Sequence, residues 1–309
     1  MQELIPPIDR RLLLAELGEG HFVRQTNNGN NEIYIVDAHS APQVMQEIGR
    51  LRELSFREAG GGTGKSADID RYDTMPLPFQ QLIVWNPEEQ EIVGGYRFIH
   101  CRDLEIHEGA PQSPTSRLFR LSERFIGHYM PYTIELGRSF VQPAYQPAMN
   151  IRKGMYSLDN LWDGLGALVV DHPDIRWFFG KITMYPHFNT RARDLIQHFL
   201  RKYFPDPDEL VRPFVPMALT TPSGELEAVF SGGNYEADYK LLVQQVRSLG
   251  EGIPPLVNAY MNLSSTMRTF GTAINEVFGD VEETGIMVTI NDIYEAKKDR
   301  HVNTYRKGM

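Results

Sequence analysis

Charged side chains recur in four short segments whose residue types suit proton transfer and the binding of a small charged substrate. The first segment has helical spacing, the second is a polar loop, and the last two have the apolar character of β-strands. The residues concerned are Arg52 and Phe56, then Asp68, Asp70 and Asp73, then Gly94 and Arg97, and finally Glu135 and Arg138. A shared site requires that the fold bring these segments together.

The spacing of Glu135 and Arg138 is unusual for two residues that act at one site. In a regular strand, residues i and i+3 point to opposite faces of the sheet. Both charges reach one cleft only if a bulge lies between them, and Gly137 tolerates such a bulge. Taken alone, the pair also fits an exposed ion pair, and Arg52 alone fits a solvated helix face.

Composition limits the class of protein. The chain has 309 residues, with 31 Lys and Arg, 40 Asp and Glu, and a net charge of −9. This balance argues against a nucleic-acid-binding protein, because neutralising phosphates requires clustered positive charge. The single cysteine, Cys101, excludes an internal disulfide and a cysteine-rich metal site, and it fits a reducing compartment. We expect no metal site and no bound cofactor.

The amino-terminal residues lack the features of a targeting signal. Their apolar run, residues 12–15, is short and is flanked by Asp9 and Glu16. No stretch approaches the roughly 18 apolar residues that span a bilayer. We therefore expect a cytoplasmic protein and leave a peripheral membrane contact open.

Hydrophobic periodicity predicts alternating helices and strands. The predicted helices span residues 8–17, 42–58, 116–125, 157–170, 190–204, 235–249 and 254–262. The predicted strands span residues 21–26, 32–37, 80–85, 91–99, 132–141, 177–185 and 285–290. Asn189 is a candidate N-cap for the helix that follows it.

These elements predict one α/β domain over residues 1–309, with a mixed sheet flanked by helices. The 80–85 and 91–99 strands are adjacent and antiparallel, so the sheet cannot be purely parallel. Its core is expected at about residues 20–200. A C-terminal extension over 201–309 holds a Pro-rich excursion, helices and closing strands.

The segment AGGGTGKS, residues 59–66, is similar to a phosphate-binding P-loop but departs from it. Gly64, Lys65 and Ser66 fit the G-x-x-x-x-G-K-[ST] pattern, whereas Ala59 occupies the first glycine position. The segment also leaves a helix and enters an Asp-rich loop, the reverse of a P-loop's context. We interpret it as a flexible, glycine-rich active-site lid.

Together, the four charged segments resemble the N-acyl amino acid synthases of the GNAT superfamily. The similar proteins are the ornithine-lipid and glycine-lipid N-acyltransferases, often mislabelled as haemolysins, and more distantly the acyl-homoserine-lactone synthases. The motifs are Arg-x-x-x-Phe at 52–56, Asp-x-Tyr-Asp at 70–73, Gly-x-x-Arg at 94–97 and Glu-x-x-Arg at 135–138. The resemblance covers roughly residues 44–200 and a later segment at 253–260. It implies a GNAT fold, with a mixed, mostly antiparallel sheet that splays open at its middle.

The resemblance also implies an enzyme. It would move a long-chain fatty acyl group, with or without a 3-hydroxyl, from acyl carrier protein to the amine of a small amino acid, and so make a lipid precursor. Direct attack on the thioester needs a base, for which Glu135 is the candidate, with Arg138 beside it. The candidate substrate-binding residues are Arg52, Phe56, Asp70, Asp73 and Arg97. Trp85 is a second candidate wall for the acyl chain, and Cys101 stays open as a nucleophile.

The expected donor rests on a departure from GNAT enzymes that use coenzyme A. Those enzymes carry an Arg/Gln-x-x-Gly-x-Gly/Ala loop after the central strand, and residues 142–162 contain none. Arg152, Lys153 and Gly154, with Ser157 as the expected N-cap of the next helix, are candidates for binding the phosphate of phosphopantetheine. This favours acyl carrier protein as donor. Acyl-CoA, or a non-catalytic relative that binds an acyl group or carrier protein, are the alternatives.

An acidic carrier protein needs a basic surface to bind. Arg117, Arg120 and Arg124 lie at positions i, i+3 and i+7 of the predicted helix 116–125 and would share one face, next to Arg152 and Lys153. An ordinary solvated face is the alternative.

Overall fold

The computed structural model describes residues 1–146, 149 and 151–307, with the backbone alone for residues 151 and 152. Its strands are β1 (Phe22–Gln25), β2 (Glu32–Val36), β3 (Gln80–Asn86), β4 (Glu91–His100), β5 (Ile106–His107), β6 (Ala110–Pro111), β7 (Phe119–Leu121), β8 (Thr133–Val141), β9 (Trp177–Met184), β10 (Val211–Pro213), β11 (Arg268–Asn275) and β12 (Val281–Thr289). Its helices are α1 (Arg10–Glu16), α2 (Pro42–Glu58), α3 (Arg71–Thr74), α4 (Ile151–Gly154), α5 (Ser157–Asp171), α6 (Thr190–Tyr203), α7 (Ser223–Val229), α8 (Tyr235–Ser248), α9 (Pro255–Met261) and α10 (Glu295–His301). No helix in these described ranges has both the length and the apolar character needed to cross a bilayer.

The central sheet is mixed and mostly antiparallel, as expected. Within the described residues, eight strands form it in the order β1-β2-β3-β4-β8-β9-β12-β11. β8 and β9 are parallel neighbours, and the pairs on either side of them, β4–β8 and β9–β12, are antiparallel. β11 was not predicted from the sequence, and β12 begins four residues before the predicted strand at 285–290.

Helices cover both faces of the sheet because the side chains of each strand alternate between two apolar layers. In β3, Leu82 and Val84 belong to the layer that contains Leu161 of α5. Ile83 and Trp85 belong to the opposite layer, which contains the apolar face of α2.

Local signals position the ends of several helices. The predicted N-cap of α6 is confirmed, because Asn189 Oδ1 accepts hydrogen bonds from the backbone N–H groups of Arg191 and Ala192 at 3.0 and 3.1 Å. Asn234 caps α8 in the same way, by accepting from the backbone N–H of Ala237 at 2.9 Å. These side chains satisfy backbone donors that have no partner within their own helix.

The parallel pair β8–β9 separates half-way along its length. Strand pairing joins residues 133–136 to residues 177–180 and ends there. Beyond Leu136, β8 continues to Val141 and pairs with β4, while β9 continues past Gly180 and pairs with β12. The sheet therefore opens into a cleft between β8 and β9, as the resemblance implies. In this part of the described chain, the edges of β8 and β9 that face the cleft are free of strand pairing.

Residues 116–125 do not form the helix that the sequence predicts. Residues 119–121 form β7, which pairs with β10, and a π-helix spans Phe125–Tyr129. This pairing buries Phe119 completely, and the tertiary contact outweighs the helical spacing of the segment.

The predicted basic helix face is therefore wrong. The guanidinium of Arg120 lies over the ring of Phe214, at 5.7 Å from its centre, and Arg124 binds Asp208 at 2.8 Å. Arg117 lies next to the charged site described below.

Gly180 lies where β8 and β9 separate, and a Cβ atom there would collide with the carbonyl oxygen of Leu136. We expect Gly180→Ala to lower the free energy of unfolding by about 1–3 kcal/mol, because backbone atoms must move to admit the methyl group. Urea unfolding measures the change. Gly137→Ala in β8 is the matched control, since a Cβ at Gly137 meets nothing within 4 Å. Equal unfolding midpoints for the two variants would contradict this account of the strand separation.

Candidate active site

Asp73 is the centre of a buried ion network. Its Oδ1 accepts from Arg52 Nη1 at 3.2 Å and its Oδ2 accepts from Arg97 Nη1 at 3.1 Å. Gln81 donates to the same Oδ1 at 3.1 Å and accepts from Arg52 Nη2. Burial alone would raise the pKa of Asp73, but the guanidiniums of Arg97 and Arg52 outweigh burial and hold this pKa well below its usual range. Arg52 is fully buried, so a solvated position for it is wrong.

Asp70 and Asp73 also build the short helix α3. Asp70 accepts from the backbone N–H of Tyr72 at 2.8 Å, and Asp73 accepts from the backbone N–H of Asp70 at 3.0 Å. This reciprocal capping box fixes the direction of both carboxylates. Asp70 then accepts a further hydrogen bond from Arg97 Nη1 at 2.8 Å. The polar loop is thus positioned by the same groups that bind the arginines.

Arg138 joins the network through the predicted bulge in β8. The register moves from Gly95↔Phe140 to Arg97↔Gly137, which places one extra residue on β8. The residue in the left-handed conformation is Arg138, with φ of 49°, rather than the adjacent glycine. The bulge itself is confirmed.

The bulge directs Arg138 towards carboxylates of the Asp-rich loop. Its Nε lies 2.8 Å from Asp68, and its Nη2 lies 3.8 Å from Asp70. Burial raises the pKa of Asp68, although Arg138, Arg52 and Arg97 lower it in turn. The 2.8 Å contact of Arg138 with Asp68 lacks hydrogen-bond geometry, and both oxygens of Asp68 are buried without a hydrogen bond in the described part of the chain.

Glu135 is buried on the other side of the bulge, with 3% of its surface exposed. Its Oε1 accepts from the backbone N–H of Thr115 at 3.2 Å and from the hydroxyl of Thr115 at 2.7 Å. Among the described residues, no hydrogen bond reaches Oε2. The exposed Glu135–Arg138 ion pair considered from the sequence is wrong, since Glu135 is buried and Arg138 binds aspartates.

A cavity of about 580 Å³ lies in the cleft between β8 and β9. One end is charged and the other is apolar. The charged end is lined by Arg97, Thr115, Glu135, Arg138, Lys181, Tyr185 and Glu283. The apolar end is lined by Val141, Met155, Leu158, Leu161, Pro254, Pro255 and Leu256. Phe56 lines this cavity, as predicted, whereas Trp85 is packed in the core under α2.

Lys181 and Glu283 are site residues that the sequence analysis missed. Lys181 of β9 binds Glu283 of β12 at 2.5 Å across the two strands. Burial, together with Glu283, raises the pKa of Tyr185 to about 12, so this hydroxyl stays protonated at neutral pH. Glu283 reaches the site because β12 pairs with β9. This pairing cannot be read from a single sequence.

The expected phosphopantetheine-binding segment lies at the start of α5. Gly154 and Ser157 line the cavity. Ser157 is the first residue of α5 rather than its N-cap, and its hydroxyl donates to the carbonyl of Tyr145 at 2.9 Å. Lys153 binds Glu89 at 2.7 Å. The side chain of Arg152 lies outside the described part of the chain.

The glycine-rich segment 59–66 is fixed rather than free. The buried carboxylate of Glu53 accepts from the backbone N–H groups of Thr63 and Gly64 at 3.0 and 2.7 Å, and it binds Arg57 at 2.7 Å. Gly61 lies against Tyr185, so the segment is a wall near the cavity and not the flexible lid that was expected.

Cys101 does not serve as a nucleophile for the cavity. The thiol is buried outside the cavity lining, and burial raises its pKa well above the usual value. A neutral, inaccessible thiol cannot attack a thioester.

Comparisons with known proteins identify the family. Residues 51–153 match the model of the acetyltransferase (GNAT) domain. The chain is 55% identical over 306 residues to the glycine N(alpha)-acyltransferase of Bacteroides thetaiotaomicron, covering 99% of this chain and 91% of the relative. It is 52% identical over 308 residues to the protein of the same name in Phocaeicola vulgatus, covering 99% and 94%. The chain belongs to the GNAT family of N-acyltransferases.

Solved structures similar to this N-acyltransferase include acyl-homoserine lactone synthases. BjaI, described as CoA-dependent, aligns with a TM-score of 0.40 and 13% identity over 89% of both chains. LasI aligns with a TM-score of 0.35 and 15% identity, over 50% of this chain and 74% of its own. The GNAT-like sheet described above agrees with the match of residues 51–153 to the acetyltransferase (GNAT) domain.

Asp73→Asn removes the charge that Arg52 and Arg97 share. We expect a loss of about 3–5 kcal/mol in the free energy of unfolding at pH 7, because two buried guanidiniums lose their common partner. Urea denaturation measures this loss. The control is Asp174→Asn, which breaks an ion pair with Arg102 whose two side chains are 43% and 44% exposed, and it should cost about 0–1 kcal/mol.

The difference in unfolding free energy between wild type and Asp73→Asn should depend on pH. Because folding lowers the pKa of Asp73, its stabilisation is present above the unfolded value of about 3.9 and is lost as pH falls towards the folded value. The stability difference between wild type and Asp73→Asn should therefore narrow below about pH 4. A difference that stays constant down to pH 3 would refute this charge assignment.

Proposed function

We propose that this N-acyltransferase transfers a long-chain fatty acyl group from a thioester of acyl carrier protein to the amine of glycine, giving an N-acyl amino acid that is a lipid precursor. The observation that carries the proposal is the two-ended cavity. Its apolar end suits an acyl chain, and its charged end, which contains Glu135, suits the amine of a small amino acid. Both similar relatives are named for glycine N-acylation, which supports glycine as the acceptor.

Glu135 is the proposed general base. The amine nitrogen forms a bond to the thioester carbonyl carbon, the carbon–sulfur bond breaks, and the thiol of the carrier leaves with a proton. The nucleophile must lose its own protons, which Glu135 accepts directly or through water. The hydrogen bonds from Thr115 to Oε1 orient the carboxylate of Glu135, which lines the cavity, and leave Oε2 without a hydrogen bond in the described part of the chain.

The strand separation supports a site for the tetrahedral intermediate. Beyond Leu136, the edge of β8 that faces the cavity has no strand partner in the described chain, so its backbone N–H groups are available to a developing oxyanion. Preorganised donors of this kind typically contribute about 10²–10³ in rate each. Arg138 stays bound to Asp68 and Asp70, and its proposed catalytic contribution is to hold the bulge beside the reacting atoms.

The remaining candidates have supporting roles in the proposal. Phe56 borders the cavity, and Arg97 contributes positive charge at its charged end. Arg52, Asp70 and Asp73 position Arg97 from outside the acyl path. Gly154 and Ser157 lie where the donor arm would pass, and Arg152 and Lys153 stay candidates for its phosphate.

Purified enzyme tests the proposal when glycine is supplied with palmitoyl-acyl carrier protein or with palmitoyl-CoA. We expect N-palmitoylglycine by mass spectrometry, with the carrier-protein thioester used in preference. Equal use of both donors would remove the proposed preference for carrier protein but keep the transfer. If neither donor gives a product, and 3-hydroxypalmitoyl thioesters give none either, the proposal is wrong.

Glu135→Gln keeps the size and the Thr115 contact of the side chain but removes the base. We expect kcat to fall about 10²–10⁴-fold, with the unfolding midpoint within a few degrees of wild type. The matched control is Glu123→Gln, an exposed glutamate outside the cavity, which should retain full activity. A Glu135→Gln enzyme that keeps wild-type kcat would exclude Glu135 as the base.

A further inference from the structure

A second, smaller cavity adjoins the charged end of the first one. It has a volume of about 200 Å³. Arg97, Pro114, Arg138, Lys181 and Phe278 line both cavities, so these residues form a common wall. The smaller cavity is otherwise lined by Asp70, Tyr72, Arg117, Leu118 and residues 274–277, which form the end of β11 and the turn after it.

The charges of the common wall are already balanced. Arg97 and Arg138, with Arg52 behind them, are paired with three aspartates. Lys181 is paired with Glu283. A substrate carboxylate at these cations would have to compete with carboxylates that are held in place by the fold, at a cost in desolvation.

Glu135 and Arg117 differ from the paired residues of the common wall, because each lacks a partner of opposite charge in the described part of the chain. Among the described residues, the guanidinium of Arg117 makes no ion pair, hydrogen bond or ring contact. The carboxylate of Glu135 is bound by Thr115 alone, two residues before Arg117 in the chain. Segment 114–118 thus borders both cavities, with a free cation on one side and a carboxylate on the other.

We propose that the smaller cavity binds the amino acid acceptor and that Arg117 binds its carboxylate. The ammonium end then lies beside the residues that line both cavities and points towards Glu135, which removes its proton. A free amino acid carries one positive and one negative charge, and this pair of unpartnered groups complements both. The inference rests on the proposed function and adds to it the residue that selects α-amino acids over other amines.

The lining of the smaller cavity bears on which acceptor it takes. Its volume of about 200 Å³ is about a third of that of the larger cavity, and Ile274 and Val277 also line it. The exposed carboxylate of Glu276 stands on the same rim and makes no ion pair with Arg117 within the described chain. An acceptor with a short side chain fits this space, whereas a long acidic side chain would meet Glu276.

Arg117→Ala tests the inference in an acylation assay that varies the acceptor. We expect KM for glycine to rise about 10- to 100-fold, the usual effect of losing a hydrogen bond to a charged group, with KM for the acyl donor unchanged. Glycinamide keeps the amine but lacks the carboxylate, so its kcat/KM should be the same in Arg117→Ala and wild type. Arg117→Lys should restore part of the glycine affinity.

The matched control is Arg212→Ala. Arg212 is an exposed arginine on β10 that borders neither cavity, and this variant should bind glycine like wild type. If Arg117→Ala raises KM for glycine no more than Arg212→Ala does, or lowers activity equally with glycine and glycinamide, the inference is overturned. If the wild-type enzyme acylates neither glycine nor glycinamide, the proposed function itself is overturned. Failure of the inference and failure of the proposed function therefore give different results.

Discussion

The site depends on keeping three guanidiniums and three carboxylates together inside the protein. A buried ion without a partner costs several kcal/mol, so removing any member leaves a penalty on the others. The carboxylates come from one loop, whereas the guanidiniums come from α2, β4 and β8. The network therefore ties four parts of the chain to one point. Its members are Arg52, Arg97 and Arg138, with Asp68, Asp70 and Asp73.

This network and the strand separation both border the larger cavity. The bulge that turns Arg138 towards the aspartates leaves both Arg138 and Glu135 in the lining of the larger cavity. Because β8 and β9 stop pairing at Leu136, the larger cavity opens directly beside that carboxylate. The charges of the network balance one another, so the proposed reacting groups need not compete with them.

Much of this arrangement was predictable from sequence, for reasons that particular residues show. The continuous apolar runs of β3, β4, β8 and β9 identify central strands, and Gly137 marks the bulge. The order of the four charged motifs predicted that Asp70, Asp73 and Arg97 share one site. Lys181, Glu283 and Thr115 could not be found, because their approach depends on register between distant strands and on a loop that local spacing does not describe. The same limitation explains the error at 116–125, where β10 imposes an extended backbone on helical spacing.

The position of β12 between β9 and β11 has a consequence for biosynthesis. Residues 281–289 supply Glu283 and seal one side of the cavity, although they follow the Asp-rich loop by more than two hundred residues. Since domains acquire their packing as the chain leaves the ribosome, the nascent polypeptide holds an incomplete pocket until this late strand inserts. The pocket is therefore complete only after residues 281–289 have left the ribosome and paired with β9.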